Sequence, residues 1–292
     1  MDLDPRSRLG RNFRLLGIGL LALAITLFAG AIWTLLLITN LHNDPAIPWS
    51  VPVMALLLWL FWSYMDGTGW PRSTSEARRQ YLRANRISRK TFVWASIAGV
   101  LSVVALAGYW IVFFGLVKMP PNAIPNTSFY PRLTVALMIL MGSVVAPLME
   151  EGSIRGYLQV ALEREFRGPT AVLISSLVFS LAHFAHGLVW PKLLFYFLVG
   201  VVFGATAYLT NSTLPAILPH ITGDVAFFAL IWPHDAARSV IWNSGADRWF
   251  WIHIAQAIVF TLLAISAFLK LARVSRCEAV SLKAMQASSG PK

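Results

Sequence analysis

Charge is what this chain has least of. Asp, Glu, Lys and Arg make up 13% of its 292 residues, where a soluble domain carries about a quarter. That shortage, with 57% hydrophobic residues and a mean hydropathy of +0.64, excludes an ordinary soluble domain and predicts a polytopic membrane protein with no second soluble domain. Acidic residues are scarcer still, 13 against 24 basic ones. The basic residues follow the boundaries of apolar runs, which suits anionic lipid headgroups and excludes nucleic acid as the expected partner. Cysteine is nearly absent. Cys277 alone permits neither an intramolecular disulfide nor a CxxC metal clip, and it lies too far from Lys292 to be a prenylation box. Internal repeats and low-complexity tracts are missing as well.

What the sequence has is a series of long apolar runs, and these predict an all-α bundle of about eight membrane spans. Arg6, Arg8, Arg11 and Arg14 precede a run from Leu15 to Thr39. It is longer than a signal-peptide core and is expected to be a retained first span with its N-terminus cytoplasmic. The other expected spans are Pro52 to Tyr64, Phe92 to Val117, Pro131 into the glutamate pair, Thr170 to Leu188, Lys192 to Leu209, Leu214 to Trp232 and Trp249 to Leu271. Outer loops are expected over Asn40 to Trp49 and Met119 to Asn126, with a mixed-charge loop over Pro233 to Asp247. Asp66 to Lys90 is the most polar stretch, with seven basic residues against Asp66 and Glu76. Its Glu76 to Arg86 part is expected to lie on the cytoplasmic surface as a basic helix or to act only as a topology-setting loop. Lys270, Arg273, Arg276, Lys283 and Lys292 make the tail basic, so an even span count puts both termini on the cytoplasmic side of a plasma or inner membrane. Gly200 and Gly204 form a small-xxx-small face for close helix approach.

Against this background a few polar residues stand out. Glu150 and Glu151 follow the apolar run Leu133 to Leu148, and an ionisable group in or beside a membrane span is expensive enough to suggest function. Arg155 is four residues from Glu151 and shares its helix face. Glu150 is turned by about 100°. One glutamate can then be braced by arginine while the other handles a proton. Phe166-Arg167-Gly168-Pro169 reads as a helix stop and restart, and it lies midway between Glu150 and His183. A hairpin there puts both about 22 Å from the turn and at the same depth, with Phe179 one turn before His183 walling the same face. His186 sits near the span end and reads as structural, since His-x-x-His is not the zinc-protease signature. His220 and Asp224 are another i,i+4 pair. Pro215 and Pro219 argue for a partly extended approach to His220 that carries it deeper.

Glu-Glu-x-x-x-Arg (Glu150, Glu151, Arg155), Phe-x-x-x-His (Phe179, His183) and His-x-x-x-Asp (His220, Asp224), in order on apolar helices, resemble the CPBP family. That family groups type II CAAX prenyl endopeptidases with bacteriocin-processing and lysostaphin-resistance-like membrane proteins. The resemblance covers about Pro131 to Phe228. Gly152-Ser153-Ile154 lacks the family's usual aromatic residue before the arginine, and Asp224 replaces an asparagine, so an ionised side chain there cannot donate to an oxyanion. The resemblance implies an intramembrane endopeptidase. Glu150 and His183 would activate water, His220 with Asp224 would stabilise the oxyanion, and Glu151 and Arg155 would brace the glutamate helix. It implies no bound metal, with zinc at Glu150, His183 and His220 as the other option.

The expected organisation is N-terminal helices with the basic loop over 1–130, a catalytic core over 131–232, and the outer loop, last span and tail over 233–292. The expected partners are membrane lipids and a peptide or membrane-protein substrate, with or without a lipid group. Two other functional classes fit the same polar residues. One is a proton-coupled transporter, though no inverted repeat is visible; the other is a non-catalytic immunity or binding protein.

Overall fold

A computed structural model describes residues 5–119 and 127–288. Residues 120–126 of the expected outer loop fall outside the described residues, as do Lys292 and the side chains of Arg6, Arg8, Arg11, Arg14 and Lys283. The described chain is 84% helical and, among the described residues, has no strand. Its principal helices are α1 (Pro5–Asn43), α2 (Ser50–Met65), α3 (Ser75–Leu82), α4 (Arg89–Leu116), α5 (Arg132–Glu150), α6 (Gln159–Glu163), α7 (Gly168–Ala182), α8 (Trp190–Thr210), α9 (Leu214–Ala226), α10 (Ile241–Ser244) and α11 (Arg248–Ser288). Residues Glu151–Leu158 join α5 to α6 without a break. Among the described residues, six helical stretches are long and apolar enough to cross a membrane: Leu15–Asn43, Arg89–Leu116, Arg132–Glu163, Trp190–Thr210, Leu214–Asp235 and Arg248–Glu278. The other two of the eight expected spans correspond to the shorter apolar helices Ser50–Met65 and Gly168–Ala182. The protein is a multi-pass membrane bundle.

Local chemistry sets the helix ends. Ser88 Oγ accepts the Thr91 amide at 3.1 Å and caps α4. Pro169 lies in the first turn of α7, where no amide partner is lost. Asn211 ends α8 in the left-handed region at φ 48°. Trp110 fills the centre of the bundle, fully buried between Phe114, Phe195 and Phe227. Its indole N–H donates to Asp235 at 2.9 Å.

Helices α7 and α8 pack closely because Gly200 faces Ser176. A Cβ on Gly200 would lie 2.8 Å from Ser176 Cα, and one on Gly204 would lie 3.0 Å from Gln159 Oε1. Gly200→Ala is therefore expected to push the two backbones apart and to cost about 1–3 kcal/mol. Thermal unfolding in detergent measures it.

One expectation about backbone path is corrected. Helix α9 runs regularly through Pro215 and Pro219. Pro215 sits in the first turn, where amides are free, and the Pro219 ring packs where Gly99 of α4 lacks a side chain, a Cβ there lying 2.5 Å from Pro219 Cγ. Within the basic stretch, α3 exposes Glu76, Ala77, Arg79 and Gln80. Arg78 and Leu82 of α3 are buried, because Gly156 lets the backbone of residues 81 and 82 come against residues 151–158; a Cβ on Gly156 would meet both carbonyl oxygens at 3.1 Å. Arg78 donates from its two Nη atoms to the carbonyls of Tyr64, Gly69 (3.0 Å) and Pro71 (2.6 Å).

Candidate active site

The site begins with an irregularity in the glutamate helix. Pro147 offers no amide to the preceding turn, and from Glu151 to Leu158 the helix widens into π turns, its end marked by the Gln159 amide reaching back to the Ile154 carbonyl. Such wide segments concentrate at functional sites. Small residues let neighbours press against this one. Ser153 Oγ bonds Thr26 Oγ1 of α1 at 2.8 Å, and Gly152 packs beside Leu82 and Met65.

At its start the two glutamates diverge. Glu151, fully buried, lies 3.4 Å from Arg155 Nη1 and accepts from His220 Nδ1 at 2.9 Å. The Arg155 guanidinium covers the Phe179 ring at 4.1 Å, a cation–π contact in a desolvated setting. Glu150 keeps 13% of its side chain exposed. Its Oε1 is 3.7 Å from His183 Nε2 and its Oε2 is 3.6 Å from His220 Nε2. Asp224 Oδ1 lies 3.9 Å from the same His220 Nε2. The hairpin through Glu163 and Gly168 thus brings Glu150 and His183 level.

The far nitrogen of each histidine is occupied. His183 Nδ1 donates to the Phe179 carbonyl at 2.8 Å, and His220 Nδ1 is held by Glu151. Both Nε2 atoms therefore turn toward Glu150. All seven residues singled out by motif lie in one cluster drawn from α5 and its wide extension, α7 and α9. His186 packs edge-on against His183, ring centroids 5.4 Å apart, with its Nδ1 2.7 Å from the Tyr196 hydroxyl.

Sequence reasoning missed the aromatic plates that fix the histidine rings. Tyr196 stacks on His183 at 4.0 Å and 19°, and Phe203 stacks on His220 at 4.3 Å and 20°. Both come from α8 and are seven residues apart, the two-turn helix repeat that could have flagged them. It also missed Arg83, which donates to Glu163 at 2.7 Å and to the Arg155 carbonyl at 3.1 Å. Burial lowers the Arg83 pKa, and the Glu163 carboxylate partly restores it.

Residues 132–226 match the family model for type II CAAX prenyl endopeptidase Rce1-like proteins. That match supports the CPBP resemblance over these residues. No curated protein and no solved structure gives a match. The match spans every residue of the cluster, from Glu150 to Asp224. Among the described residues, no group of three or more His, Cys, Asp or Glu forms a metal cage. The donor types of Glu150, His183 and His220 are nonetheless ones that zinc takes, and each histidine has its Nδ1 on a carbonyl or carboxylate, as zinc-binding histidines do.

Proposed function

We propose that the chain is an intramembrane endopeptidase that hydrolyses peptide bonds with water activated by Glu150. The observation that carries this reading is the carboxylate of Glu150 set between two imidazole Nε2 atoms whose other nitrogens are already engaged. A water against Glu150 and His183 Nε2 gives its proton to Glu150 as it attacks the scissile carbonyl. His220, protonated and held through Nδ1 by Glu151, donates from Nε2 to the oxyanion. Asp224 faces that same nitrogen and balances the ring's charge, a role an ionised carboxylate can fill although it cannot donate. The intermediate collapses when Glu150 returns its proton to the leaving amine. Glu151 and Arg155 position; they do not touch the reacting atoms.

The substrates proposed are segments of membrane-associated peptides or proteins, lipidated or not. The test uses purified protein in liposomes and a library of fluorogenic peptides with and without a lipid-modified cysteine, run before and after chelation. Cleavage that survives chelation and is lost in His183→Ala is the expected result. Loss on chelation with recovery on adding zinc assigns Glu150, His183 and His220 to a metal, which would supply a more acidic bound water. Undiminished cleavage by His183→Ala removes the proposed site.

A further inference from the structure

The mechanism leaves His186 unused, although it lies one tight turn from His183. The His186 amide donates to the His183 carbonyl at 2.9 Å, and Gly187, at φ 108°, then leads the chain toward α8. The His186 carbonyl accepts from Lys192 Nζ at 2.7 Å, and Lys192 is buried in the first turn of α8. Ser180 Oγ donates to the Leu193 carbonyl at 2.6 Å, which ties the end of α7 to that same turn. Both backbone polar groups of His186 are therefore engaged, and the residue is held in place whatever its side chain does.

The side chain reaches back toward the cluster. Its Nδ1 lies 2.7 Å from the Tyr196 hydroxyl, and the Tyr196 ring lies on His183 at 4.0 Å and 19°. Tyr196 is thus held at two points, its face on His183 and its tip on His186. Stacked rings slide over one another at small cost, whereas a hydrogen bond is selective in distance and angle. The bond at the tip therefore sets where the plate rests. His183 has its Nδ1 on the Phe179 carbonyl at 2.8 Å, so the motion left to its ring is rotation about that bond. A plate flat against its face opposes this rotation.

We propose that His186 is a positioning residue: through the Tyr196 hydroxyl it keeps the Tyr196 plate on His183, and so keeps His183 Nε2 aimed at the water beside Glu150. His186 touches none of the reacting atoms. A purely structural His186 would serve the turn between α7 and α8, but that task falls to its backbone, which other residues supply equally well. Its side chain is exposed, so burial of the ring does not account for it either. What the imidazole adds is a fixed partner for the Tyr196 hydroxyl. The effect on reaction rate rests on the protease reading; the effect on the His183 ring does not.

The test compares wild type with His186→Leu, Tyr196→Phe, the double variant and His186→Asn, whose amide stands where histidine carries Nδ1 and preserves the link. Each full-length protein in detergent is treated with diethyl pyrocarbonate, and modification of His183 and His220 is followed by peptide mass spectrometry. His186→Leu and Tyr196→Phe should each speed modification of His183 by about two- to tenfold, the factor that one ordinary hydrogen bond holds back. The double variant should add nothing to either, His186→Asn should stay near wild type, and His220 should keep its wild-type rate throughout. In liposomes, with the library peptide that wild type cleaves fastest, the same two single variants should lower kcat by up to about 10²-fold at unchanged KM, as a displaced group does. An unchanged His183 rate in His186→Leu, no rescue by His186→Asn, additive effects in the double variant, or His220 accelerated alongside His183 overturns the proposal. A loss confined to KM overturns it too. Modification is read without cleavage, so a wild type that cleaves no peptide removes the protease reading and leaves the hold on His183 to stand or fall by its own rate.

Discussion

Glu150→Gln is expected to lower kcat for peptide cleavage by about 10²–10⁴-fold, the usual contribution of a positioned general base. The amide keeps the size of the carboxylate and can still meet the Nε2 atoms of His183 and His220, so melting temperature and detergent-solubilised yield should stay near wild type. KM should change little, since the carboxylate acts on water. Peptide-titration kinetics on matched preparations measure both quantities. A Glu150→Gln enzyme with wild-type kcat would remove Glu150 from the chemistry and with it the mechanism proposed above.

Arg155→Ala should act on the fold. Glu151 and Arg155 are sealed in the bundle, and breaking a buried pair by removing one partner costs about 3–5 kcal/mol, because the remaining charge stays desolvated. The guanidinium also loses its place over Phe179, so the floor beneath His183 loosens. The double variant Glu151→Gln with Arg155→Met leaves no uncompensated charge and should recover most of the stability. It should not recover activity, because a neutral amide in place of the Glu151 carboxylate no longer holds a charged His220. Thermal unfolding beside kcat for the two variants separates these effects. If the single variant melts like wild type, the pair is not the brace its burial indicates.

Much of this arrangement could be read from the chain because helices convert spacing into direction and depth. The stop at Phe166 to Pro169 put Glu150 and His183 level, and the four-residue interval put Arg155 on Glu151. The prolines before His220 misled, because a proline's cost depends on where in the helix it falls and on what receives its ring. Gly99, 120 residues away, receives the ring of Pro219, and nothing local to either residue states it. The burial of α3 was hidden for a related reason. The arginines of α3 and its C-cap looked solvent-bound, as Arg79 is, yet Arg78 and Arg83 donate to backbone carbonyls that tertiary contacts supply. Tyr196 and Phe203 were lost among many aromatics in an apolar helix, where a ring that orients a histidine carries the same letter as one that faces lipid. The divergence of the two glutamates was foreseen, but the widening of the helix between Glu151 and Leu158 was not.

Helix α7 has 15 residues, about 22 Å of rise, against a hydrocarbon layer of about 30 Å. Leu173, Leu177 and Leu181 face outward along it, so acyl chains meet a wall too short for them. Lipids beside α7 must compress or the headgroups must dip toward His183, each at a fraction of a kcal/mol per ångström. The bilayer is thereby expected to thin beside the candidate site, where the proposed hydrolysis needs water, and thicker membranes oppose that dimple more strongly than thin ones.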